Sequence, residues 1–185
     1  GGVNLDAEPS FRGYFAVTAV GGGGESALSN EIFADIAPSV TADPLFSEQW
    51  HLENTGQEGG TAGQDVRILN AWAAGFDGTG VRIAVVDDGL EIGHTDLFSN
   101  CIPGESHNYL NGSKDPTGGA HGTSCAGVAA AVGGNDAGVS GAAPEAFLVG
   151  YNLLQNATTS NIANSMTRDA AENWISSNSW GAPDG

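Results

Sequence analysis

The sequence is short of positive charge. Five Lys and Arg stand against 22 Asp and Glu, a net charge of −17. Nucleic-acid binding needs Lys and Arg to neutralise phosphates, so this imbalance excludes that class. It also argues against adsorption to an anionic membrane. The acid excess reads first as solubility, in salty surroundings. No stretch approaches the ~20 consecutive apolar residues of a membrane-spanning helix. Cysteine is scarce: Cys101 and Cys125 are too few for a disulfide framework, and they say nothing about redox compartment. Met166 is the single methionine. The chain opens on Gly1 and ends on the turn-like Ala182-Pro183-Asp184-Gly185, which reads as a piece cut at both ends. What is abundant is glycine, 29 of 185 residues, against a usual share of ~7%. Much of it falls at the turns of the motifs below, so it is not low complexity.

Three regions follow. Residues 1–37 read as the end of a β-sandwich module. Tyr14–Val20 is rich in aromatic and β-branched residues and reads as a strand. Gly21–Gly24 is a turn free to adopt positive φ. Ala27–Phe33 returns as a second strand. Residues 38–42 are a linker. Residues 43–185 change character. Val81–Asp87 is a nearly continuous apolar run, as in a parallel strand buried on both faces. His121–Val132 is an Ala- and Gly-rich helix suited to close packing on a sheet. Phe147–Tyr151 is a strand, Thr158–Asn173 a helix capped by Thr159 or Ser160, and Ile175–Trp180 a further strand. Alternating strand and helix predicts a parallel α/β sheet. Such sheets gather their sites at the carboxyl ends of strands, where Asp87 falls. Trp50, Trp72 and Trp174 read as core residues, and Cys101 as part of a surface loop.

The chemistry is concentrated in Val85-Val86-Asp87-Asp88-Gly89 and, 34 residues on from Asp87, in His121-Gly122-Thr123-Ser124-Cys125-Ala126-Gly127. A serine hydroxyl is a weak nucleophile. It needs histidine as base and a buried carboxylate to hold the imidazole tautomer. Asp87 sits at a strand end, with Gly89 letting the chain turn away. His121 opens a helix of small residues. A strand-end cap would explain Asp87 alone, and a helix N-cap His121 alone; the two contexts together favour a catalytic pair in the order Asp, His, Ser. Cys125 reads as a small buried hydrophobe rather than a second nucleophile, and as a point of sensitivity to mercurials.

These two motifs, with Leu90-Glu91 and His94-x-Asp96-Leu97, resemble the subtilisin-like serine peptidases. The doubled aspartate, Asp43-Pro44-Leu45-Phe46-x-x-Gln49-Trp50, Cys125 and Ser179-Trp180-Gly181 resemble the kexin and furin branch, over residues 43–185. The implied fold is a parallel-sheet α/β catalytic domain, incomplete within 185 residues. The resemblance makes Asp87 the triad acid and His121 the general base, and places the serine and the oxyanion-hole asparagine beyond Gly185. It makes Ser179, Trp180 and Gly181 the strand that pairs with substrate backbone and walls the pocket for the residue before the scissile bond. It implies calcium (Ca2+), held by Asp43, Asp96 and Asn135 side chains and by the carbonyls of Gly133, Ala137 and Val139. Asp88 would face a basic residue at the second substrate position. Asp184 stands near a first-pocket aspartate, and equally reads as a turn residue. Residues 117–120 and 158–164 lack the further acids of strict dibasic specificity. Residues 14–31 likewise resemble the last two strands of a fibronectin type III domain, with a generic hairpin as the second reading.

The expected protein is a calcium-stabilised, secreted or cell-surface serine endopeptidase, monomeric, with protein or peptide substrates. The 185 residues alone would be inactive, for want of the serine. A second reading, from another class, is a non-catalytic adhesion or binding protein with a degenerate peptidase-like domain. A third makes Asp87, Asp88 and His121 ligands of a catalytic metal.

Overall fold

A computed structural model describes residues 40–181 throughout, together with the strands β1 (Phe11–Phe15), β2 (Val20–Gly21), β3 (Gly24–Glu25) and β4 (Ile32–Ile36). The contacts divide the chain into two compact units, Gly1–Ser39 and Val40–Gly185. In the first unit β1 pairs antiparallel with β4, and β2 with β3. The first ladder therefore starts nearer the N-terminus than expected, at Phe11. The expected return strand falls mostly outside the described residues, of which only Ile32 and Phe33 belong to β4.

The second unit is a parallel α/β layer. Its elements are α1 (Ile68–Ala73), β5 (Arg82–Asp87), β6 (His107–Asn108), α2 (His121–Ala130), β7 (Phe147–Asn152), α3 (Thr159–Thr167) and β8 (Ile175–Asn178). The sheet order is β6-β7-β5-β8, parallel at each pairing. β5 lies between β7 and β8, which explains its apolar run: both faces need covering. Ile83 and Val85 point to one face, with Leu90, Leu97, Ala126, Ala130 and Leu148. Ala84 and Val86 point to the other, with Tyr109, Val149, Tyr151 and Leu153. α2 covers the first face; Ile162 of α3 and Trp180 pack against the second.

α2 lies close on the sheet because its residues are small. A Cβ at Gly122 would stand 2.7 Å from Asp87 Cβ, and closer still to the Gly89 carbonyl. Gly89 itself has φ +153°, and a side chain there would strike the backbone of Gly118. The two glycines thus let the Asp87 strand end and the α2 start meet.

Four sequence expectations change. α3 is shorter than 158–173: it ends at Thr167, with Arg168 extended and Asp169 at φ +50°. Its cap is Thr158, whose hydroxyl accepts from Asn161 N–H at 3.2 Å. Cys101 is half-buried rather than a surface-loop residue; it forms an isolated parallel bridge with Leu148, and burial pushes its thiol up to about 11. Both cysteines are free. Trp50 and Trp174 are exposed, at 51% and 78%; only Trp72 is tied inward, donating from its indole to the Ala142 carbonyl at 3.0 Å.

Candidate active site

Asp87 is the last residue of β5 and is 1% exposed. A buried carboxylate must be compensated by hydrogen bonds. Its Oδ1 accepts from the backbone N–H of Asp88 at 2.7 Å and lies 2.9 Å from His121 Nδ1. That contact fixes the tautomer: Nδ1 carries the proton and donates to Asp87, which leaves Nε2 as the free base. The His121 side chain is 56% exposed, so the ring has its back to a buried acid and its working edge toward solvent. Its pKa is raised above 6.5, first by the hydrogen bond to Asp87, then by that carboxylate's charge, with a smaller contribution from Asp88.

Asp88 has a different task. Its Oδ1 accepts from Gly122 N–H at 2.9 Å and its Oδ2 from His121 N–H at 3.4 Å. Ala120, at the N-cap position of α2, offers no side-chain bond. Asp88 therefore caps α2 from another segment and places negative charge at the positive end of the helix dipole. Sequence reasoning gave Asp88 to substrate and missed this cap. The signal was Gly122, since two chain segments can meet this closely only where one has no side chain.

His121 opens onto an open concavity of about 490 Å³, lined also by Cys125, Val128, Ser177 and Ser179. Ser179 therefore lies in the same cleft as the base. The Trp180 side chain turns away from it: the indole donates to the Val86 carbonyl at 2.9 Å and packs with the α3-side core. Gly181 is exposed. Asp184 lies outside the described residues.

Of the six residues expected to hold calcium, Asp43, Asp96, Asn135, Ala137 and Val139 are joined by hydrogen bonds. Asp43 and Asp96 are each 4% exposed. No described basic side chain pairs with either. Asp43 accepts from the backbone N–H groups of Gly134 and Asn135 at 2.9 and 3.0 Å, and from Ser140 Oγ at 2.6 Å. Asp96 accepts from Val139 N–H at 2.9 Å and from the Asn135 amide at 3.0 Å. Asn135 thus bridges the two acids, and the 133–140 loop folds around them. Two buried carboxylates without a cation partner, beside an amide, offer oxygen donors suited to a hard cation. The Asn135 amide oxygen accepts from Ala137 N–H at 2.9 Å, which fixes the amide with its nitrogen toward Asp96.

The Asp87–Asp88–His121 metal set does not come together in this way, because Asp88 is committed to α2. A third ligand atom near Asp87 and His121 comes instead from Cys125.

A parallel α/β layer with a buried strand-end aspartate holding the first histidine of a small-residue helix defines the class of subtilisin-like serine peptidases. The subtilase family model, Peptidase_S8, matches residues 78–185, and the chain belongs to this family. It is 48% identical over 124 residues to the Aeromonas extracellular serine protease of Aeromonas sobria, covering 62% of this chain and 20% of that protein. It is 38% identical over 152 residues to human neuroendocrine convertase 2, covering 77% of this chain and 24% of that protein. A crystal structure of the serine protease of Aeromonas sobria superposes with a TM-score of 0.67 at 42% identity, over 76% of this chain and 26% of that one. A further structure, of that protease with its chaperone, matches equally well. The chain spans about a fifth to a quarter of the length of these relatives.

Proposed function

We propose that the protein is a serine endopeptidase of the kexin-like branch, whose acid is Asp87 and whose base is His121. The observation that carries this is the 2.9 Å bond between a 1% exposed carboxylate and Nδ1 of a ring that keeps Nε2 toward the cleft. A degenerate binding domain has no physical need for that pair, which argues against the adhesion reading. In the proposed reaction a serine outside residues 40–181 attacks the scissile carbonyl. His121 Nε2 takes the hydroxyl proton, and Asp87 stabilises the imidazolium that forms. The same nitrogen returns the proton to the leaving amine. The acyl-enzyme is then hydrolysed with His121 activating water.

The finer readings have separate supports. Calcium is supported by two buried acids that no described basic side chain neutralises: Asp43, Asp96 and Asn135 would hold it with side-chain oxygens, and Gly133, Ala137 and Val139 with carbonyls. The ion would supply positive charge that ties the 40s segment to the 133–140 loop. Ser179, Trp180 and Gly181 would offer backbone to an extended substrate, with Trp180 anchoring that segment by its indole. A basic residue before the scissile bond is favoured by the chain's acidic charge balance, with Asp184 as its reader and Asp88, beside its cap on α2, facing the second substrate position. Secretion or a cell-surface location follows the relative named as extracellular. The first unit, with its antiparallel ladders, is assigned to the end of a fibronectin type III-like module. The test is hydrolysis of peptides differing only in Arg or Leu before the scissile bond, with and without calcium. Calcium-dependent cleavage favouring Arg supports the reading. Absence of cleavage, or cleavage that resists serine-directed inhibitors, contradicts it.

A further inference from the structure

The chain holds five basic residues, none next to another: Arg12, Arg67, Arg82, Lys114 and Arg168. A peptidase that cuts after a basic residue meets them in its own copies, and the fold withholds four. Arg12 lies inside β1, in register with Asp35 of β4. Arg82 opens β5, bonded to Trp174 N–H through its carbonyl, and its side chain is only 11% exposed. The Arg168 guanidinium lies over the Tyr109 and Tyr151 rings, 5.7 and 5.9 Å from their centroids. Lys114 is exposed, but the chain after it is clamped: the Asp115 carbonyl accepts from Asn108 Nδ2 and Ser113 Oγ, and Pro116 is fully buried.

Arg67 is different. Every residue from 55 to 76 is exposed or half-buried. Arg67 has φ +56°, a left-handed backbone that side chains disfavour. It stands at the N-cap position of α1 without a side-chain cap, and α1 is six residues long with none buried. A helix so short is marginal in water. A peptidase holds its substrate as an extended strand, and extension relieves the left-handed turn at Arg67. What ties the segment down lies at the edge of the fold. Val66 N–H donates to the His51 carbonyl at 3.0 Å, Asn54 Nδ2 to the Gln64 carbonyl at 3.1 Å, and Asn54 N–H to Asp65 Oδ2 at 3.0 Å. Such a segment opens locally without unfolding the sheet.

We propose that the Arg67–Ile68 bond is a self-processing site, cut by the His121 centre of a second copy of this protein. Self-processing rests on the basic-residue reading above and sharpens it: Val66 precedes Arg67, so a single basic residue suffices. Arg67 and its neighbours lie outside the residues that line the concavity before His121, so the cut passes between molecules. Water adds across the amide. The Arg67 carbonyl carbon gains the hydroxyl by way of the acyl-enzyme, and the Ile68 nitrogen leaves as an amine carrying the proton. Both new ends stay anchored. On one side Phe46 and Leu52 are buried, and Gln49 holds the Ser140 backbone through Nε2 and Oε1 at 2.8 and 2.9 Å. On the other the Trp72 indole holds the Ala142 carbonyl. The product is a nicked, two-chain protein rather than one that has lost a segment.

The test uses the whole calcium-saturated protein and reads new N-termini by mass spectrometry, with each variant checked for an unchanged melting transition. Wild type should acquire an N-terminus at Ile68 while its native size stays the same. His121→Ala should remain whole alone and be cut after Arg67 once a trace of wild type is added. Arg67→Gln should lose this N-terminus and keep its rate on an Arg peptide. Trypsin, which needs only an accessible basic residue, should make its first cut within residues 40–181 of His121→Ala after Arg67. A wild type that cleaves Arg peptides yet leaves the Arg67–Ile68 bond whole, or a first tryptic cut elsewhere in that range, overturns the proposal. A protein that trypsin nicks after Arg67 but that cleaves no Arg peptide overturns the basic-residue reading, and self-processing with it, while the accessible bond stands.

Discussion

Asp87 decides what His121 does, by holding one nitrogen and charging the ring's surroundings. The raised pKa of His121 has a direction that can be measured. The pair is tighter when the ring is protonated. Its contribution to folding is fully present below the unfolded imidazole's 6.5 and is lost as pH rises through the raised folded value. Catalysis needs the opposite state, the neutral ring. The acid limb of kcat/KM should therefore lie above pH 6.5, and Asp87→Asn should shift it to lower pH. On the proposed mechanism Asp87→Asn should also lower kcat on the order of 10⁴-fold, the size of the same change in a serine peptidase triad. An unshifted limb would show that another group titrates. Both residues were legible in the sequence, because a strand-end acid and a helix-opening histidine each sit in distinctive local patterns. Asp88 was not. Its cap on α2 joins positions far apart in sequence, and only the folded backbone brings them together. The anchor of Trp180 was not legible for a similar reason: its indole partner is the Val86 carbonyl, on β5.

At the scale of elements, the site depends on how closely α2 approaches the end of β5. Gly122 is the contact point. Gly122→Ala would drive a methyl against Asp87 and Gly89. Overpacking of this kind costs about 1–3 kcal/mol. The expected result is a lower melting temperature together with lost activity, since the displaced helix carries His121. Retained activity would show that the helix start tolerates the shift. β5, α2 and β7 were legible because their apolar or small-residue runs are long and their flanks carry turns. The end of α3 was not, since residues 168–173 include the helix formers Ala170, Ala171 and Glu172 and hold no proline or glycine to stop it. The turn is made by Asp169 at positive φ, with Asn173 hydrogen-bonded back to the Arg168 carbonyl at 3.0 Å.

Across the second unit, the two buried acids Asp43 and Asp96 and the overall charge set how stability responds to ions. Calcium that binds the folded state alone stabilises it by about 2.7 kcal/mol at a hundredfold excess over Kd. Chelation with EGTA should lower the melting temperature, and Asp96→Asn should remove most of that calcium dependence. A melting curve indifferent to EGTA would contradict the assignment. The net charge of −17 adds a general repulsion that salt screens, with a Debye length falling from about 30 Å at 0.01 M to about 10 Å at 0.1 M. With calcium held in excess, the melting temperature should rise over that range of sodium chloride. The parallel α/β class was readable from the alternation of strand and helix. The exposure of Trp50 and Trp174 was not, because amino-acid type alone does not say which apolar side chains a layer leaves uncovered.

The central claim is a serine nucleophile activated by His121. Its most direct test is labelling of the whole protein with a fluorophosphonate, which reacts with a serine only when a neighbouring base activates it. The account predicts one labelled serine in the wild type and a loss of labelling rate of several hundredfold or more in His121→Ala, with the melting transition unchanged. Absence of label in the wild type, or equal labelling of His121→Ala, would contradict it.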